Sequence, residues 1–229
     1  MRVVIIANGE LSATERLREC WQRADLRIAA DGGAANAYRV LGLAPQVVVG
    51  DLDSLDEVTR RWLEQNGAEF LAYPPAKDAT DLELALHLAV ERGAEHVTIV
   101  GALGGRVDQF IANVLLLTRV PDRSAPIFAV GEQRAGQSPQ VVIADALSEM
   151  WMATERATIE GAVGDTVSLI PIDERVEGIV TENLEYPLRA ETLVRGSTRG
   201  ISNRLTAPRG EVQWRKGLLL IVHLFNAVR

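Results

Sequence analysis

The sequence predicts an α/β N-terminal domain with a mostly parallel sheet and flanking helices, followed by a C-terminal all-β, sandwich-like domain. Three observations predict it. Across the first half of the 229 residues, short apolar runs, several rich in β-branched residues, alternate with amphipathic stretches. Helix-start signals follow those runs, so a strand–loop–helix order recurs. The rhythm changes after about residue 120, and from about Ala157 short strands separated by turn residues follow.

Val3–Ala7, Ile28–Ala30, Val47–Val49, Phe70–Tyr73 and Val97–Val100 read as strands of the first domain. Leu82, Ala85, Leu86, Ala89 and Val90 fall at helical spacing and form the clearest amphipathic stretch. Three pairs carry capping-box spacing: Ser12 with Glu15, Ser54 with Glu57, and Thr80 with Glu83. The loops that lead into these helices gather at the carboxyl edge of the sheet, where open α/β sheets place ligands. Gly131–Gln140 is polar and reads as a loop or insertion. Ala157–Glu160, Thr166–Leu169, Gly178–Thr181, Glu191–Val194, Gly210–Trp214 and Leu218–Leu224 are the strands of the second domain. The domains are therefore expected at residues 1–154 and 155–229, with a boundary good to several residues.

Composition narrows the function. Hydrophobic residues make up 47%, enough for a packed core, and the net charge of -7 argues against a general nucleic-acid binder. Arg195, Arg199, Arg204, Arg209, Arg215 and Lys216 are spread over several strands and turns, as on a solvated surface. The single Cys20 excludes an intrachain disulfide and a thiolate zinc site. The apolar run Met1–Asn8 lacks the length and cleavage region of a signal peptide, and no apolar run reaches membrane-spanning length. A cytoplasmic protein is expected, without membrane or nucleic-acid partners. His87, His96 and His223 are far apart and read as structural, as do Trp21 and Trp62, while Trp151 and Trp214 read as core or as the border of a ring-binding pocket, with core favoured.

Four loops carry the chemistry. Gly50-Asp51-Leu52-Asp53-Ser54 follows a strand, and residues two apart in an extended chain point the same way. Asp51 and Asp53 then present two carboxylates to one point, as Mg2+ prefers. The plainer reading is a turn with solvated aspartates that ends in a Ser54 helix cap. Lys77-Asp78-Ala79-Thr80-Asp81 places Asp81 in a first helical turn, which the helix dipole favours with or without a ligand. Gly101 to Gln109 includes Gly104, Gly105, Arg106 and Asp108 before another helix. The glycines admit a phosphate close to the backbone, and Arg106 grips its oxygens with a planar fork. Asp31-Gly32-Gly33 repeats the strand–acid–glycine layout, or is simply a tight turn. Together, these acids would repel one another unless a metal and a polyphosphate resolved the conflict. No P-loop and no dinucleotide fingerprint is present.

These segments resemble the thiamine pyrophosphokinase family. The likeness runs through Ala30-Asp31-Gly32-Gly33-Ala34, Val49 to Ser54, Tyr73-Pro74-Pro75 with Lys77 to Glu83, and Gly101 to Gln109. It continues in Val167 to Pro171, Leu184-Glu185-Tyr186-Pro187-Leu188 and Gly200-Ile201-Ser202-Asn203. The resemblance implies diphosphate transfer from ATP to thiamine, giving AMP and thiamine diphosphate. It implies a catalytic α/β domain, a β domain that helps bind thiamine, and a homodimer. By residue, it implies Asp51, Asp53, Asp81 and Asp108 as Mg2+ ligands and, with Arg106, as the catalytic set. Asp31, Gly32, Lys77, Thr80, Gly104, Gly105 and Gln109 are implied at the nucleotide, and Ser202 and Asn203 at thiamine. Two departures stand out: many bacterial members carry His where Gln109 stands, and Asn183 replaces a Gly common before the Leu184–Leu188 segment. The same loops would also serve a hydroxymethyl pterin acceptor, and a sensor without catalysis would need a lost site residue.

Overall fold

The computed structural model describes residues 1–119 and 139–226. The chain divides into two compact units, Met1–Ala146 and Leu147–Arg229. The break falls a few residues before the expected position near 155, because the strand Ser148–Ala153 pairs within the second unit.

In the first unit the chain runs β1 (Arg2–Ile6), α1 (Glu15–Arg23), β2 (Leu26–Ala30), α2 (Gly33–Asn36), a π turn at Ala37–Leu41, β3 (Val47–Gly50) and α3 (Glu57–Gln65). It continues through β4 (Glu69–Ala72), α4 (Asp81–Glu91), β5 (His96–Val100), α5 (Val107–Leu116) and, after residues outside the described set, β6 (Gln140–Ala144). The strands pair in parallel in the order β6-β5-β1-β2-β3-β4. β2, β3 and β4 extend the sheet to one side of β1, and β5 is laid down on the other, so the direction of winding reverses at β1. Ligands of open α/β sheets bind at such a reversal, outside the strand carboxyl ends.

Both sheet faces are covered, which is why these strands read as continuous apolar runs rather than alternating ones. Val4, Ile6, Ala29 and Val48 pack with Leu17 and Trp21 of α1, Ala34 of α2 and Leu63 of α3. Val3 and Ile5, pointing the other way, are equally buried. Helix α4 packs on β1, β2 and β3 through a buried stripe that includes Leu82, Ala85, Leu86 and Ala89.

One of the three expected caps forms as read: Thr80 Oγ1 accepts from Glu83 N at 3.2 Å. The other two lie two residues later. Thr14, not Ser12, caps α1, and Asp56, not Ser54, caps α3. Both true caps are themselves cap-favouring residues, so several candidates lay within one turn and spacing alone chose wrongly. The polar segment 131–138 lies outside the described residues, while Gln140 opens β6.

The second unit contains β7 (Ser148–Ala153), β8 (Arg156–Glu160), β9 (Thr166–Pro171), β10 (Arg175–Glu182), β11 (Arg189–Val194), β12 (Asn203–Arg204), β13 (Arg209–Gln213) and β14 (Leu219–Leu224). Within it, β12-β9-β14-β7 and β11-β10-β13-β8 form two antiparallel sheets. Ile159, Leu169, Ile179, Val212 and Ile221 are buried among these strands. Asn183 adopts φ 58, the left-handed region that asparagine tolerates, and its Nδ2 donates to Arg209 O at 2.8 Å. The replacement of a family glycine there is thus accommodated by the turn.

His223 on β14 is fully buried, as a structural histidine. Its Nδ1 lies 3.0 Å from Glu149 Oε1 and its Nε2 lies 3.0 Å from Asp165 Oδ2. Burial pulls its pKa down, but the two carboxylates more than offset that and raise it. Only a protonated ring donates from both nitrogens. A group whose folded pKa is raised contributes stability in full below its unfolded value, about 6.5, and loses it as pH rises through the folded value. Urea unfolding followed from about pH 6 upward should therefore show a loss of stability with rising pH that His223→Gln lacks. Equal pH slopes for the two proteins would refute the pairing.

Candidate active site

The acids of adjacent strand ends converge. Asp31 follows β2, and Asp51 and Asp53 follow β3. One carboxylate oxygen from each lies within 4.8 Å of the others. The expected reason, an extended segment, does not hold. Leu52 has φ 63, so a left-handed turn, rather than strand alternation, brings Asp51 and Asp53 together. Asp31 is also left-handed, at φ 42, with its N–H donating to Val49 O at 2.8 Å. Gly50 has to be glycine: at φ 153 a Cβ would lie 2.9 Å from Asp31 Cβ and 3.2 Å from Asp81 Oδ1.

Each acid meets a different environment. The Asp53 N–H donates to Asp51 Oδ1 at 3.2 Å and, with help from Lys77, holds the Asp51 carboxyl below its ordinary value. Asp53 is pushed up, first by sharing a hydrogen bond with the Asp51 carboxyl, then by the charges of Asp51, Asp31 and Asp81. Ser54 Oγ donates to Asp31 Oδ2 at 2.7 Å. Lys77 Nζ lies 2.7 Å from Asp81 Oδ1 and 3.8 Å from Asp51 Oδ2. Burial pulls the Lys77 ammonium down, and the carboxylates of Asp81, Asp51 and Asp31 more than offset it, raising its pKa. Asp81 Oδ1 is thus held by the Lys77 ammonium, while Asp31 Oδ1 remains a buried polar atom without a hydrogen-bond partner. An unpaired hard oxygen beside a cluster of carboxylates fits a hard divalent cation.

Beside the acids lies a cleft of about 510 Å³ at the winding reversal, bordered by the ends of β1, β2 and β5. Asp31, Thr80, Asp81, Gly104, Gly105, Arg106 and Gln109 of the sequence-selected residues line it. Thr80 spends one lone pair on its cap and keeps its O–H to donate. Gly105, at φ 65, would meet nothing with an added Cβ, so backbone conformation, not crowding, requires glycine there. Arg106 is exposed. Its Nε and Nη2 lie 3.1 and 2.5 Å from the two oxygens of Asp108. That pairing lowers the Asp108 pKa and raises that of Arg106.

Asp51, Asp53, Lys77, Asp108 and Gly32 do not line the cleft itself. Gly32 is buried against Asn8, and Asp108 stands outside the three-acid group on the partner it has in Arg106. Sequence reasoning missed the supports of the cleft. Asn36 Nδ2 donates to Ala7 O at 3.0 Å and Gly9 O at 2.9 Å, and Asn113 Nδ2 donates to Ala102 O at 3.0 Å. Only their polarity on otherwise apolar helices signalled them.

In the second unit, Asn203 borders a cleft of about 390 Å³ with Leu169, Tyr186, Leu188, Arg199 and Ile201. Its amide is already engaged, accepting from Tyr186 N at 2.9 Å and donating to Tyr186 O at 2.7 Å. Ser202 is exposed at φ 60, and its N–H donates to Ser168 Oγ at 3.0 Å.

Comparison with known proteins agrees over both units. The family described as thiamin pyrophosphokinase, catalytic domain, matches residues 17–129, and thiamin pyrophosphokinase, vitamin B1 binding domain, matches residues 156–219. A thiamine pyrophosphokinase of Bacillus subtilis (strain 168) is 29% identical over 218 residues, covering 95% of this chain and 96% of its own. The crystal structure of thiamine pyrophosphokinase from Bacillus subtilis superposes with a TM-score of 0.81 at 26% identity, covering 99% of this chain and all of that one. The thiamin pyrophosphokinase from Candida albicans, at 15% identity, shares the fold with a TM-score of 0.80, over 98% of this chain and 89% of its own.

The raised Asp53 pKa has a consequence for stability. A carboxyl that holds its proton more tightly when folded makes folding less favourable once pH exceeds the raised value. At neutral pH, Asp53→Asn should therefore raise the melting temperature in EDTA and remove any further rise on adding Mn2+. Thermal melts in both conditions check this. A variant that melts lower in EDTA would show that Asp53 is held by favourable contacts instead.

Proposed function

The chain belongs to the thiamine pyrophosphokinase family, and from that premise we propose that it transfers diphosphate from ATP to the hydroxyl of thiamine. The products are AMP and thiamine diphosphate. The observation that carries the reading is the meeting of a cleft of about 510 Å³ with a three-acid cluster at one sheet edge, in a chain matched by the family through both units.

In this reading the thiamine hydroxyl attacks the β-phosphorus of ATP. A new oxygen–phosphorus bond forms there, the bond from the β-phosphorus to the α–β bridging oxygen breaks, AMP leaves, and the hydroxyl proton passes to solvent. Positioning and charge neutralisation supply most of the rate in reactions of this kind. Asp31, Asp51 and Asp53, with Asp81 beside them, would hold Mg2+ and orient the phosphates. Bound there, Mg2+ would neutralise charge on the phosphate oxygens. Asp108 joins this set by family likeness and is supported here as the partner that holds Arg106. The Gly104–Gly105 backbone would line the phosphate path, with Thr80 and Gln109 offering hydrogen bonds. Arg106 would exchange its Asp108 partner for phosphate oxygens, and Lys77 would balance charge on the leaving group. No side chain is assigned as general base, since a loose transition state needs little proton abstraction from the acceptor.

The first unit would bind ATP, and the β unit would contribute to thiamine binding. The apolar and polar lining around Asn203 and Tyr186 supports the second part. A cytoplasmic location is in keeping with the free thiol of Cys20. We also propose a homodimer, supported by Val107, Ile111 and Leu115, which lie exposed along α5. Light scattering should return twice the chain mass, and a value of one chain mass would overturn the dimer.

Incubation with ATP, Mg2+ and thiamine should yield AMP and thiamine diphosphate. Formation of ADP, or binding without turnover, would overturn the reading. Arg106→Met should lower kcat by roughly 100-fold in the same assay, with the metal-free melting temperature unchanged. Full activity in that variant would remove Arg106 from the mechanism.

A further inference from the structure

Ser54 occupies the position that sequence spacing assigns to a helix cap, yet it does not cap. Asp56 does, accepting from Thr59 N at 2.8 Å through Oδ1. The Ser54 hydroxyl instead reaches back across the sheet edge and donates to Asp31 Oδ2 at 2.7 Å. It thereby joins the loop after β3 to the loop after β2.

This bond matters because of what surrounds Asp31. Its backbone is held in the left-handed region at φ 42, and its carboxylate sits within 4.8 Å of two others. Like charges at that range favour any rotamer that swings Asp31 away. Two of the neighbouring acids have restraints of their own. Asp51 accepts from the Asp53 N–H, and Asp81 faces Lys77. Among the described residues, the Ser54 hydroxyl is the side-chain donor on Asp31. A hydroxyl donating to a carboxylate forms a charge-assisted bond, roughly twice as strong as a neutral one. It fixes one oxygen, while the other, Oδ1, stays buried without a partner.

We propose that Ser54 is a positioning residue: its hydroxyl holds Asp31 at the point shared with Asp51 and Asp53, so that the divalent-cation site is assembled before the nucleotide arrives. The inference rests on the metal-dependent reading given above. Ser54 itself is exposed, so its effect runs through Asp31 and not through the core.

The test is Mn2+ binding to the nucleotide-free protein, followed by electron paramagnetic resonance. Ser54→Ala should raise the Mn2+ dissociation constant about 10-fold or more, as loss of a ligand-orienting partner does. Ser54→Thr, which keeps the hydroxyl, should restore binding. Melting temperatures in EDTA should be the same for all three proteins. Wild-type affinity in Ser54→Ala would overturn the role of Ser54 while leaving the metal site standing. A loss of affinity matched by a lower metal-free melting temperature would assign Ser54 a structural part and overturn the proposal equally. Failure of the wild-type protein itself to saturate with Mn2+ would instead sink the metal site, and this inference with it.

Discussion

Mutual repulsion among carboxylates at one sheet edge is the constraint around which the first unit is arranged. Neighbouring parallel strands end side by side, so an acid placed just after each strand is delivered to the same place. Asp31 and Asp51 arrive this way, and the left-handed turn at Leu52 adds Asp53. Like charges in such proximity oppose folding. The protein answers with local restraints: a hydroxyl on Asp31, a backbone N–H on Asp51, and the ammonium of Lys77 against Asp81. These hold the group together without satisfying it. Asp53 keeps a raised pKa, and Asp31 Oδ1 stays buried without a partner. Strain stored at a site in this way is what a ligand can relieve.

The fold supplies the place for that ligand. Winding reverses at β1, and the ends of β1, β2 and β5 border a cleft beside the acids. Asn36 and Asn113 spend their amides on the carbonyls of these loops, holding the cleft open from below. Arg106 waits at the cleft on an exposed ion pair with Asp108. Exposed pairs are worth little and exchange readily, which suits a residue that must pass its fork from a carboxylate to a phosphate.

Much of this was legible in the chain. The five strands of the first half, helix α4 and its Thr80 cap follow from periodicity and side-chain chemistry that act within a few residues. Each strand expected after residue 155 also appears. Other features were not legible. Thr14 and Asp56 took the caps assigned to Ser12 and Ser54, since cap strength among neighbouring candidates depends on where the helix axis is set by packing. Strands β6, β7 and β12 escaped notice because short segments gain their identity from a pairing partner, not from their own pattern.

Residue order alone sets which residue types follow which strands, and hence that acids, glycines and an arginine collect at one edge. That much is local, carried by backbone preference and hydrophobic period. Which acids meet depends on the packed fold. It grouped Asp31 with Asp51 and Asp53, turned Asp81 toward Lys77, left Asp108 on Arg106, and freed the Ser54 hydroxyl for Asp31. The physical reason is that convergence depends on strand order and on single left-handed residues, which reorient a side chain by more than any spacing along the chain can record.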